Sequence, residues 1–144
     1  MGNRAVITWG TEGSESVGVY LHWNGGRASV RAFLDTCKAR GYRSPANDPS
    51  YAMAGLVAVI QEFFGATGLS VGVDVINRMD CDNMDNGVYQ VGEGWQIVDR
   101  WGEGSQSVEL TMAPMHGREL EQYEGIMAQL ARAREPAAIV FETV

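Results

Sequence analysis

The sequence predicts an α+β fold: a mainly antiparallel sheet, two N-terminal-half helices packed on one face, and a further C-terminal helix. Three observations carry this. Short β-rich runs such as RAVITW and VGVYLHW are bounded by turn residues. Residues 28–40 and 49–64 carry helical apolar patterns. Eighteen glycines in 144 residues fall mostly near predicted turns, which favours many short elements over a helical bundle. The length is that of one ordinary domain, so residues 1–144 are read as a single domain.

Residues 4–9 and 17–23 read as two strands joined by TEGSES, an antiparallel hairpin. In 28–40, Val30, Phe33, Leu34 and Cys37 recur at i, i+3, i+4 and i+7, one face of a helix. Gly41 stops it. Asp48 and Pro49 read as the N-cap and first residue of a second helix that runs to about Phe64. This helix is apolar nearly all round, which predicts burial against a sheet or a partner subunit. In 69–76, alternation points Leu69, Val71, Val73 and Val75 toward the core. VYQV (88–91) and WQIVDR (95–100) form a further hairpin across GEG. Residues 101–117 are expected as a flexible connection to the C-terminal helix, with a second strand or arm at 108–112. The last helix is predicted over 117–135, with Leu120, Tyr123, Met127 and Leu130 as its apolar stripe and Pro136 ending it. AIVFETV at the C-terminus reads as a small strand, an interface arm or a tail.

Composition narrows the partners. The net charge of −7 speaks against duplex DNA or RNA, whose affinity comes mainly from basic neutralisation of phosphates. It leaves room for a local basic pocket that holds one small phosphorylated ligand. Lys38 is the only lysine, and the other ten basic residues are arginines, whose planar forks suit phosphate or carboxylate. Two cysteines are too few for a disulfide scaffold. No secretory leader and no run of membrane-spanning length is seen, so a soluble cytosolic protein without membrane partners is expected.

The run DCDNMDNG, 80–87, raises the question of metal. A calcium loop fails because Met84 stands where a ligand is required and Asp85 where glycine is. Cys37, Cys81, His22 and His116 lack zinc spacing. No phosphate-binding glycine fingerprint and no nucleophile–base set is present. The expectation is therefore no metal, no cofactor and no catalytic residue. Two stretches remain. HWNGGR, 22–27, sets backbone N–H groups at a helix start beside Arg27, an arrangement that suits an anion; it also reads as a glycine turn capped by Asn24. Asp85-Asn86-Gly87 reads as a tight turn into the strand at Val88. That turn has no need of Arg78, Asp80, Asp82 or Asn83.

RAVITWG, VGVYLHWNGGRASVRAFLDTCKARGYRSP, FFG at 63–65, LSVGVDV and DCDNMDNGVYQV together resemble a family of small phage and prophage proteins. The resemblance covers about residues 4–100. It is to the Thoeris anti-defence sponges, which sequester cyclic ADP-ribose isomers without degrading them. Some members also take cyclic oligonucleotides of the CBASS defence. The resemblance implies a homodimer or hexamer with ligand at subunit interfaces, in the cytoplasm of an infected bacterial host; it transfers no individual ligand contact. The roles expected from residue chemistry are Arg27 and Arg78 for pyrophosphate, Asn24 and Asn86 for polar edges, Asp82 for ribose hydroxyls and Tyr89 for stacking. They require the HWNGGR turn and the DN-rich loop to converge. The alternatives are a protein-binding inhibitor of a host defence enzyme and a small nucleotide-processing enzyme.

Overall fold

The computed structural model describes residues 2–132 and residue 142. Five strands form one sheet in the order β3-β2-β1-β4-β5. The central strand β1 (Ala5–Thr8) pairs antiparallel with β2 (Val17–Leu21), and β2 pairs antiparallel with β3 (Val71–Val75) at one edge. On its other side β1 runs parallel to β4 (Val88–Val91), which pairs antiparallel with β5 (Ile97–Trp101) at the other edge. The sheet is thus mainly antiparallel with one parallel pair. Both of its faces are covered, so every residue of β1 is buried. Ala5, Ile7, Val19, Leu21, Tyr89 and Val91 point into the helix-side core. Val6 and Val88 point the other way, onto Ile76 and the half-buried Tyr20, Met79 and Trp101.

Helices α1 (Arg27–Ala39) and α2 (Pro49–Phe63) supply the helix side. The expected face of α1 is the buried one: Val30, Phe33 and Cys37 are fully inside and Leu34 nearly so. Burial lifts the Cys37 thiol to about 12. Asp48 caps α2, accepting from the Tyr51 amide, with Pro49 at the first position. Leu56, Val59 and Ile60 are fully buried, each contributing about 1.5–3 kcal/mol by transfer. α2 is not buried all round, and Tyr51 is exposed. α4 (Gly117–Ala131) packs mainly on α1 through Ile126 and Leu130, and its Tyr123 hydroxyl donates to Asp35.

Two expectations are corrected. The valines of β3 are not buried as expected, and Val73 is 56% exposed. β3 is an edge strand, and the helix layer covers it only in part, with Val71 packing on the core. Residues 108–112 are not a strand but a short helix, α3 (Val108–Met112), because Ser107 caps it by accepting from the Leu110 amide. The predicted C-terminal end of α4 past residue 132, with Pro136 and the strand or arm of AIVFETV, lies outside the described residues.

Candidate functional site

The DN-rich loop is organised from within. Asn83 is 1% exposed, and one side chain serves five backbone groups. Its amide nitrogen donates to the carbonyls of Asp80 (3.0 Å) and Gly87 (3.1 Å). Its oxygen accepts from the amides of Asp85 (3.2 Å), Asn86 (3.1 Å) and Gly87 (2.9 Å). Gly87 sits at φ +62°, with a would-be Cβ 2.6 Å from the Trp101 carbonyl, so glycine is required there. The loop is then fastened to β1. Asp85 accepts from the Arg4 amide (3.0 Å) and from Arg4 Nε (2.8 Å). Its carboxyl is held below the usual range chiefly by the Arg4 side chain.

The HWNGGR turn meets this loop. Asn24 takes φ +61° and donates to Ser29 Oγ at 3.1 Å. At Gly25 a side chain would stand 2.6 Å from the Asn3 carbonyl, and the Gly25 amide donates to that same carbonyl at 2.8 Å. Asn3 also accepts from the Asn86 side-chain amide, which donates in turn to the Arg4 carbonyl. The Tyr89 hydroxyl donates to the Gly25 carbonyl at 2.7 Å. The turn that opens α1 and the loop that opens β4 are therefore tied through residue 3 and Tyr89.

Between them lies a polar cleft of about 190 Å³. Its walls include Gly26 and Arg27 at the start of α1, Asp85 and Asn86 of the loop, and Tyr89 and Arg100 from the β4–β5 pair. Gly104, Gln106 and Glu119 close it from the C-terminal side. Arg27 is already engaged. Its Nε donates to Glu119 at 2.9 Å, and its terminal nitrogens reach Glu119 and the carbonyls of Leu110, Thr111, Ala113 and Pro114. Arg31 joins it on the Thr111 and Ala113 carbonyls. Two arginines of α1 thus cap the C-terminal end of α3, where carbonyls lack helical partners. The pair raises Arg27 and lowers Glu119, in each case mainly through their mutual hydrogen bond. Arg100 lies with its guanidinium carbon 3.7 Å from the Tyr89 ring centroid. It donates to the Val88 carbonyl (2.9 Å), the Asn86 carbonyl and the Thr111 hydroxyl. Burial lowers its pKa and lifts that of Tyr89 to about 12.

Of the six candidate residues, Arg27, Asn86 and Tyr89 come together in this cleft, and Asn24 holds the turn beside it. Two fall elsewhere. Arg78 stands 75% exposed on a 3-10 turn (Ile76–Arg78), beside Asp74 at 3.8 Å. Asp82 accepts from the Glu103 amide at 2.9 Å, pinning the segment after β5. Their chemistry suited a ligand, but Arg78 lies on the turn that follows β3, Asp82 is turned to the Glu103 amide, and neither lines the cleft. Tyr89 is 1% exposed with Arg100 over its ring, so it offers no open face for a base. Residue chemistry along the chain missed Arg100, Gln106 and Glu119. Arg100 had a signal: Tyr89 and Arg100 are direct partners in the β4–β5 hairpin, and cross-strand partners share a face.

A larger groove of about 610 Å³ lies at the opposite edge, among Trp9, Val17, Met53, Val57 and Val73. Its lining has no ionisable side chain, so size favours it for a ligand and chemistry favours the smaller cleft for a phosphorylated one. Among the described residues no group of three His, Cys, Asp or Glu is placed to hold a metal ion, and no helix is long and apolar enough to cross a membrane. Comparison of the chain with protein families, curated proteins and solved structures gives no match.

Proposed function

We propose that this protein binds a small cyclic nucleotide immune signal of the cyclic ADP-ribose class and holds it uncleaved. On this reading it is a phage anti-defence protein acting in the cytoplasm of an infected bacterium. The observation that supports it is the convergence of the HWNGGR turn and the DN-rich loop on one arginine-lined polar cleft. The resemblance of residues 4–100 to sponge proteins supplies the ligand class. At about 190 Å³ the cleft is smaller than the ~300–1,000 Å³ that encloses a whole drug-sized ligand. It takes a phosphate-bearing part of the signal, and the remainder lies outside it, against a second copy in the homodimer or hexamer that the resemblance implies.

The test is incubation with cyclic ADP-ribose isomers, removal of free ligand, heat denaturation and chromatography of what is released. Intact ligand in the released fraction is expected. No retention, or a chemically altered product, overturns the reading. A protein-binding inhibitor is the second reading, favoured by the open apolar groove at the β3 edge. It predicts no retention of any nucleotide and a tight complex with a defence enzyme.

A further inference from the structure

Each carboxylate on the wall of the cleft has its own arginine. Asp85 is paired with Arg4 at 2.8 Å, and Glu119 with Arg27. Arg100 has none: among the described residues it forms no ion pair. Its acceptors are two carbonyls and one hydroxyl, all neutral. They engage three of the five N–H groups a guanidinium carries, and the other two have no acceptor at hydrogen-bond geometry among the described residues. The Tyr89 ring beneath it is an electrostatic partner, but not a counter-ion. Neutral acceptors and a ring face offset only part of the cost of drawing a cation out of water. Among the described residues, the one charge lining this cleft that has no counter-ion is therefore Arg100's.

We infer that Arg100 is the anion-recognition residue of the cleft, binding the oxygens of a single phosphate group, with the side-chain amide of Gln106, which lines the same cleft, as a second donor. The start of α1 at Gly26 has no side-chain cap and opens on the same space, so its dipole adds in the same direction. Arg27, which the sequence puts forward for this role, is instead the structural partner of Glu119 and the α3 carbonyls. At about 190 Å³ the cleft has room for a phosphate group. That the phosphate belongs to a nucleotide rests on the function proposed above; the anion site itself does not.

The experiment uses the full chain, with inorganic phosphate and cyclic ADP-ribose as separate probes, followed by calorimetry and thermal melting. Two variants are compared with the wild type. Arg100→Gln removes the charge. Gln106→Glu places a carboxylate on the wall from an exposed position, leaves the Arg100 contacts in place, and decides the matter if Arg100→Gln fails to fold. Phosphate should raise the melting temperature of the wild type, and both variants should bind phosphate at least tenfold more weakly. No phosphate effect on the wild type, or unchanged phosphate affinity in the folded variants, overturns the inference. Arg100-dependent phosphate binding without nucleotide retention upholds the anion site and sinks the nucleotide reading. Nucleotide retained equally by wild type and both variants does the reverse.

Discussion

The two edges of the sheet are built in opposite ways. At the β5 edge, Arg27 and Arg31 of α1 and Arg100 of β5 hold α3 and the segment after it through directed hydrogen bonds. At the β3 edge, Val73 and the groove beside α2 are open and apolar, with no ion pair on the groove wall. Hydrogen bonds have narrow geometry, whereas apolar contact is non-directional. The first edge can hold polar groups in fixed places and select a ligand by charge. The second can only recognise shape and grease.

Substitutions can break this contrast, beginning with the largest expected effect. Asn83→Ala leaves five backbone groups of the DN loop without their partner and should cost on the order of 3 kcal/mol or more. Urea unfolding measures it, and a cost below 1 kcal/mol would mean that water replaces Asn83 and the loop is not held from within. Arg27→Ala should cost about 2–3 kcal/mol. Most of that loss comes from the α3 carbonyls, since Glu119 is 39% exposed and an exposed ion pair adds little. The same variant should make residues 101–117 the first site of limited proteolysis.

The Arg27–Glu119 pair also gives a pH signature. The Glu119 carboxyl is lowered in the folded protein, chiefly by the Arg27 hydrogen bond. A lowered acid stabilises the fold above its unfolded value, near 4.3 for glutamate, and that contribution fades as pH falls through the folded value. Glu119→Gln should therefore cost ~0.5–1 kcal/mol at neutral pH, a figure discounted for exposure. It should also flatten the acid limb of the stability curve below about pH 4.3. Denaturant melts at pH 7 and pH 3 compare the two. Val73→Asp at the other edge is the smallest change: within ~0.5 kcal/mol for an exposed strand position, with nucleotide retention unaltered. Loss of retention in that variant would move the ligand to the apolar groove.

Much of the fold could be read along the chain because local chemistry decides it. The apolar face of α1, the Asp48–Pro49 start of α2 and the turn at Gly87 each follow from residues a few positions apart. What could not be read is set by distance in sequence. Alternation alone does not say that β3 is an edge strand, so it predicts a buried Val73 although α2 covers only part of that edge. The run at 108–112 has a strand-like look, and the Ser107 cap and two arginines eighty residues away make it helical. The same holds for the site. Arg27 was legible as a cation at a helix start, but its partner Glu119 lies 92 residues on, and that pairing changes its role. Asn83 has no visible purpose in the sequence because its five partners are backbone groups, which one-letter codes do not display.

The proposed ligand site lies at the β5 edge of the sheet. Amide and side-chain NMR spectra of the full chain, recorded while cyclic ADP-ribose is titrated in, test this most directly. The predicted result is that perturbations centre on Gly26, Asn86, Gln106 and the Arg100 Nε–H. Perturbations centred on Met53, Val57 and Val73, or none at saturating ligand, would contradict it.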